Sequence, residues 1–124
     1  MESFVLPHDH GHNLPHPDHT PGTGEFALLA ELFKLLGDAS RVRLFWLLCH
    51  GEACVINLSA MMGMSSPAVS HHLKLLRAHG LIASRREGKE VYYKAADTVL
   101  ARQLHTMMED TLEITCPGSE EGQK

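Results

Sequence analysis

The sequence predicts a mainly α-helical fold that carries one β-hairpin, and two adjoining segments are the reason. The first combines a cap at Ser65 or Ser66, Pro67 in the first turn, where its missing N–H costs nothing, and Gly80 as a helix stop. The second, residues 81–94, changes to strand composition around a short polar turn. A helix that leads directly into a basic hairpin is the arrangement of a winged helix-turn-helix.

A polar arm and a strongly apolar helix are predicted at the start of the chain. Residues 1–24 contain four of the six prolines and no sustained periodicity, so we interpret them as a flexible arm. Residues 25–36 follow as a helix whose apolar side chains cover more than one face. Such a helix needs burial on two sides, which predicts a dimer interface in addition to a core. The folded domain is expected to span residues 25–114, with a flexible tail over 115–124.

Three more helices follow from caps and apolar periodicity. Asp38 is expected to cap a second helix over about 39–50. A short third helix over about 57–62 precedes the turn into the helix that starts near Ser65. After the hairpin, a last helix with one apolar stripe is expected to run from its cap at Asp97 to about residue 114.

The helix after Ser65 has two chemically different sides. Val69, Leu73 and Leu76 recur at i, i+4 and i+7, which predicts a buried stripe. The opposite side and the hairpin carry polar and cationic groups that suit base edges and phosphates. The predicted DNA-binding residues are Ser65, Ser66, Ser70, His71, Lys74, Arg77, Arg85, Arg86 and Lys89. A solvated hairpin on an unrelated α+β domain explains either segment alone, but it explains the two in tandem poorly.

Charge distribution supports this interpretation although the whole chain is acidic. The chain has 11 Lys and Arg against 15 Asp and Glu, a net charge of −4. Residues 65–94, however, hold six basic against two acidic side chains, a local balance of +4. Because only this patch would meet a DNA duplex, the sequence predicts a specific binder with modest non-specific affinity.

Length and composition narrow the class of protein. A chain of 124 residues with 44% hydrophobic and 21% charged residues is typical of one soluble domain. The sequence has no membrane-spanning apolar run and no signal-peptide layout, so a cytoplasmic protein is expected. The three cysteines do not predict a disulfide framework. Without a phosphate-binding loop, a nucleophile elbow or a His-Glu-x-x-His pattern, the sequence does not predict an enzyme.

Three segments in order carry a family resemblance: LFKLLGDASRVRLFWLL, VSHHLKLLRAHGLI and SRREGKEVYYKA. With them, residues 26–112 resemble the ArsR/SmtB family of bacterial winged-helix repressors. The resemblance implies a homodimer joined through the first and last helices, which binds a partly palindromic operator and is released by an inducer. Ala39 stands where the family usually has proline, and alanine also starts helices well.

The arm is a candidate metal ligand set because it concentrates histidines with two aspartates. Its candidate ligands are His8, His10, His12, His16 and His19. Neutral imidazole suits Zn(II), Ni(II) and Co(II), and a flexible arm can fold around an ion that it does not bind rigidly. The alternative is a solvated low-complexity arm with weak metal affinity.

Cys54 is the second candidate ligand. The segment EACVINL around it resembles the pattern Glu-Leu-Cys-Val-x-Asp-Leu of metal sensors in the family. The resemblance implies that this cysteine joins ligands from the N-terminal arm, often of the other subunit. Ile56 and Asn57 stand where some relatives have a second cysteine and a carboxylate, which favours a Cys54 and histidine site for Zn(II) over a thiolate-rich site. The alternative role of Cys54 is that of a small buried residue.

A second family site lies on the last helix, and here its pattern maps to Asp97, Val99, Asp110 and Glu113. Both of the family's histidines are missing, so this site is expected to be absent or altered. An alternative ligand set on one side of the same helix is His105, Glu109, Glu113 and Cys116. Its competing interpretation is a solvated helix face.

The expected function is therefore that of a homodimeric repressor that leaves operator DNA when it binds Zn(II), with Ni(II) or Co(II) as alternative ions. A thiol- or sulfide-responsive repressor of the same fold, using two of the three cysteines, stays open as an alternative. A metal buffer or delivery protein is the alternative from another class. In such a protein, however, the recognition helix and the hairpin would have no use.

Overall fold

The computed structural model of the chain describes residues 7–8 and 20–113. The elements in chain order are α1 (Thr23–Leu35), α2 (Ala39–Leu48), β1 (Ala53–Cys54), α3 (Val55–Met62), α4 (Ser66–Ala78), β2 (Ile82–Glu87), β3 (Glu90–Ala95) and α5 (Val99–Leu112). This mainly helical architecture with one hairpin confirms the predicted fold class. The chain divides into two compact units, Met1–Lys34 and Leu35–Lys124. Within the described ranges, no helix is long and apolar enough to cross a membrane.

In the first unit, α1 begins two residues before the predicted start because Gly22 anchors it. The Gly22 carbonyl accepts the backbone N–H groups of Glu25 and Phe26 at 3.1 and 3.2 Å. The Gly22 N–H donates in return to the Glu25 carboxylate at 2.9 Å. This reciprocal arrangement satisfies N–H groups that a helix start otherwise leaves without partners. The large apolar side chains exposed along α1 are Phe26, Leu28, Leu29 and Phe33.

The core of the second unit is built from all of its helices and from the start of the hairpin. Leu44 and Phe45 of α2 have no solvent exposure. Other buried side chains are Leu58, Met62, Val69, Leu73, Leu76, Leu81, Ile82, Ala101, Leu104 and Met108. Burying one such large apolar side chain stabilises a fold by about 1.5–3 kcal/mol. The three buried residues on α4 therefore fix which side of that helix meets solvent.

The turn between α3 and α4 depends on a left-handed residue and a serine cap. Gly63 ends α3 with φ +67°, a conformation that glycine adopts without steric cost. Ser65 then caps α4, since its side-chain oxygen accepts the Ala68 N–H at 3.2 Å. Pro67 lies in the first turn of α4, as predicted.

The hairpin belongs to a three-stranded antiparallel sheet with the order β1-β3-β2, in which β3 is the middle strand. Gly88 makes the turn between β2 and β3 with φ +65°. The sequence did not predict β1, because a strand of two residues has no periodicity of its own. It exists through pairing with β3, where Ala53 is opposite Tyr93 and Cys54 is opposite Tyr92.

The start of α5 corrects one prediction. Thr98, and not Asp97, caps the helix, since its hydroxyl accepts the Ala101 N–H at 3.2 Å. Asp97 forms an ion pair with Arg102 instead. The helix ends at Leu112, because Glu113 takes the left-handed conformation.

Candidate nucleic-acid interface and sensor residues

Helix α4 presents the polar side that the sequence predicts for DNA. Val69, Leu73 and Leu76 are at most 1% exposed, and the helix therefore has one dry face. The exposed polar residues of the helix and its cap are Ser65, Ser66, Ser70, His71, Lys74 and Arg77. Two of these side chains are within hydrogen-bonding distance of another group of the chain, since Ser65 caps the helix and the Ser66 hydroxyl lies 3.0 Å from that of Ser59. Their contacts with DNA stay a prediction.

The three hairpin residues that were predicted to bind DNA have different surroundings. Arg86 and Lys89 are exposed near the turn, and the Arg86 guanidinium is 3.5 Å from the Gly88 carbonyl oxygen. Arg85 is bound to its own chain: its Nε and Nη2 donate to the two Glu52 carboxylate oxygens at 2.8 and 2.9 Å. This hydrogen bonding keeps the pKa of the Glu52 carboxyl below its ordinary value. The predicted phosphate contact of Arg85 therefore competes with an existing ion pair.

Arg41 connects the start of α2 with the recognition helix. Its Nε donates to the Leu35 carbonyl at 2.8 Å, and its Nη1 lies 3.4 Å from Nδ1 of His72 on α4. The Asp38 carboxylate accepts the Arg41 backbone N–H at 3.0 Å, which lowers the pKa of that carboxyl. His72 is half-buried, and this burial lowers the pKa of its imidazole. A neutral His72 thus accepts a hydrogen bond from Arg41.

The His72 contact predicts a pH dependence of stability. Because the folded-state pKa lies below the ordinary value of 6.5, the unfolded chain binds more protons as pH falls through that value. The contribution of His72 to stability is therefore complete above that pH and is lost below it. We expect His72→Gln to reduce the decline in the free energy of unfolding between about pH 7 and pH 5, measured by urea denaturation. A decline that is as large in His72→Gln as in the unchanged chain would contradict the role of His72.

Cys54 lies where the β1 strand becomes the α3 helix. It is half-buried, carries a free thiol, and is the N-cap of α3 without a side-chain cap hydrogen bond. The predicted arm ligands His10, His12, His16 and His19 lie outside the described residues, and His8 is described as exposed. Among the residues described, no three His, Cys, Asp or Glu side chains form a group that could hold a metal ion. A site at Cys54 therefore needs ligands from beyond these ranges or from a second chain.

The alternative sensor face on α5 is divided by the end of the helix. Nε2 of His105 is 3.9 Å from a Glu109 carboxylate oxygen, and both side chains are largely buried. Glu113 follows the helix in a left-handed conformation, and Cys116 lies outside the described residues. His50, which follows α2, has its ring 5.3 Å from that of His105 in an edge-on arrangement.

Sequence reasoning missed three residues at these sites: Arg41, His50 and Glu52. The hydrogen bond from the Arg41 backbone N–H to Asp38 follows from the predicted cap. The contact of the Arg41 side chain with His72, however, depends on how α2 packs against α4. Glu52 precedes a strand that was not predicted, so its position opposite Arg85 had no sequence signal. Only tertiary packing places His50 next to His105.

Comparisons with known proteins agree with this geometry. Residues 38–84 match the family model described as bacterial regulatory protein, arsR family. A transcriptional repressor SmtB homolog of Synechocystis sp. is 48% identical over 69 residues, which are 56% of this chain and 52% of that protein. The chain thus spans about half the length of this relative.

Two further proteins extend the likeness over more of the chain. The arsenic resistance transcriptional regulator ArsR2 of Pseudomonas putida is 37% identical over 84 residues, which are 67% of this chain and 72% of that protein. A homodimeric winged helix-turn-helix DNA-binding domain of Mycobacterium bovis, described as a possible ArsR-family regulator, superposes with a TM-score of 0.64 at 30% identity. That superposition covers 75% of this chain and 89% of the other. The chain belongs to the arsR family of bacterial regulatory proteins, whose fold is that of DNA-binding transcriptional regulators and not of enzymes.

Proposed function

We propose that this chain is a homodimeric, metal-responsive transcriptional repressor that binds operator DNA through α4 and the β2–β3 hairpin. The observation that carries the proposal is the two-sided character of α4, with a fully buried apolar stripe opposite exposed polar and cationic residues. The hairpin with Arg86 and Lys89 follows it directly. Such a helix fits the major groove while the hairpin lies along the phosphate backbone.

Exposed apolar surface on the second unit supports a dimer. Helix α5 exposes the large side chains of Leu100, Met107 and Leu112. Beside it, an apolar cleft of about 680 Å³ is lined by residues of α2 and α5, including Trp46 and Met108. A second copy of the chain would cover such a surface, as contiguous apolar patches mark interaction sites. The α1 side chains are a second apolar surface of this kind, and the M. bovis relative is homodimeric.

The proposed inducer is Zn(II), with Ni(II) and Co(II) as alternatives. Cys54 supplies one ligand, and histidines of the arm supply the others, from the same or the partner chain. The name of one relative, an arsenic resistance regulator, supports a metal or metalloid response. Metal releases DNA only if it binds the DNA-free conformation more tightly than the DNA-bound one.

Selection of bound sequences from a random double-stranded DNA library, followed by titration with metals, tests this function. We expect the selected site to be partly palindromic. Sedimentation should show that it binds two chains per duplex. Zn(II) should lower the affinity by about 5- to 150-fold, which corresponds to a coupling of about 1–3 kcal/mol, and a chelator should restore it. Failure to select any site would contradict the repressor. A site whose affinity changes with sulfide or oxidant but with none of the three metals would favour the thiol-responsive alternative.

A further inference from the structure

The Glu52–Arg85 pair crosses the whole three-stranded sheet. Arg85 lies on β2 and Glu52 directly precedes β1, while β3 runs between these two strands. On β3, Tyr92 is opposite both Arg85 and Cys54, and its ring centroid is 4.9 Å from the Arg85 guanidinium carbon. The long arginine side chain therefore passes over the middle strand to reach the far edge of the sheet.

The guanidinium binds carboxylates of its own chain through all three of its nitrogens. Nε and Nη2 donate to Glu52 in a two-point contact, and Nη1 donates to Glu87 at 2.7 Å. Two-point arginine–carboxylate contacts are more directional than single ones, and the aromatic ring adds a cation–π contact. Two carboxylates thus more than neutralise the single positive charge of Arg85, although the side chain is 49% exposed. Arg86 and Lys89 at the same hairpin have no such ion pair among the described contacts.

We propose that Glu52 and Arg85 form a clamp that positions the β2–β3 hairpin for DNA binding, and that Arg85 acts through this clamp and not as a phosphate contact. The inference rests on the proposed DNA-binding function. An isolated two-stranded hairpin is only marginally stable in water, so the hairpin depends on its contacts with the rest of the unit, in which β1 is its strand partner. The clamp joins the outer strand of the hairpin to β1 across the strand between them, and the hairpin is thereby held where Arg86 and Lys89 can meet the DNA backbone.

The reference for the test is the full chain with Glu87→Gln. This change removes the second carboxylate near position 85, which would otherwise repel a glutamate placed there. Glu52→Gln and Arg85→Lys each remove the charged two-point contact. Glu52→Arg combined with Arg85→Glu rebuilds the pair with its charges exchanged and with the same net charge. Amide hydrogen exchange across β2 and β3, measured without DNA, reports how stably the hairpin is held. Operator affinity and its salt dependence measure the effect on binding.

We expect Glu52→Gln and Arg85→Lys to speed exchange of the hairpin amides and to weaken operator binding up to about fivefold, the scale of one exposed ion pair. The salt dependence should stay unchanged, because no phosphate contact is lost. The chain with the two charges swapped should regain the amide hydrogen-exchange rates and the operator affinity of the Glu87→Gln reference. Arg86→Ala, which removes a hairpin cation outside the clamp, should lower the salt slope by about one unit and leave hairpin exchange unchanged.

The opposite pattern would overturn the clamp. If Arg85 contacts phosphate, Arg85→Lys keeps most of the affinity, and the charge-exchanged chain loses affinity together with about one unit of salt slope. Amide hydrogen exchange of the hairpin that is unaffected by Glu52→Gln would also contradict the proposed clamp. A reference chain that binds no operator would contradict the proposed function, whereas the hydrogen-exchange result would still decide whether the clamp exists.

Discussion

Replacing Lys74 and Arg77 with alanine is expected to remove most of the operator affinity while leaving the fold intact. Both side chains are exposed on α4, opposite the buried stripe, so the core does not depend on them. Losing a base or phosphate contact costs about 1–3 kcal/mol, and each lost phosphate contact lowers the salt slope by about one unit. The double variant should therefore bind at least about 30-fold more weakly, measured by fluorescence anisotropy over a range of salt concentrations.

Arg102→Ala is the matched control for this experiment. Arg102 is also an exposed cation, but it lies on α5 and forms an ion pair with Asp97. Its loss should change the operator affinity and the salt slope little, since it lies outside the predicted DNA surface. An equal loss of binding free energy per removed charge in the two variants would mean that net charge, and not the α4 surface, controls binding. An unchanged affinity in the double variant would remove α4 from the proposed interface.

The predicted fold and the predicted recognition surface followed from local chemistry. Ser65, Pro67 and Gly63 carry turn and cap preferences that act within a few residues, and the spacing of Val69, Leu73 and Leu76 fixes the buried side of α4. Errors arose where the local signal was ambiguous. Asp97 and Thr98 are both good caps, and the structure uses Thr98.

Contacts between distant segments could not be predicted in this way. Arg85 is an example. Its position in a basic hairpin favours a phosphate contact, but the pairing of β1 with β3 brings Glu52 within hydrogen-bonding distance of Arg85. Nothing in the residues around Glu52 marks a strand, because Ala53 and Cys54 are too few to show alternation. His50 and His105 are likewise adjacent only through packing of the end of α2 near α5.

Deletion of residues 1–20 and the Cys54→Ser substitution are each expected to abolish or strongly weaken the release of DNA by Zn(II). Neither should change operator binding without metal, because neither change removes a predicted DNA contact. Cys54 alone cannot hold a tetrahedral ion, and the arm alone binds loosely because ordering it costs entropy. Metal binding at Cys54 is expected to release DNA, because Cys54 of β1 pairs with Tyr92 of β3. A bound ion that moves β1 therefore also moves the hairpin.

The combination of the two changes separates one shared site from two independent sites. If the arm and Cys54 belong to one coordination sphere, the double variant should respond to Zn(II) no less than either single variant, since either change opens the site. Cys49→Ser is the control, because Cys49 is also a half-buried cysteine but is not a predicted metal ligand. It should keep the full Zn(II) response in operator-binding titrations. Release that persists in both single variants but fails in His105→Ala with Glu109→Ala would place the sensor on α5 instead.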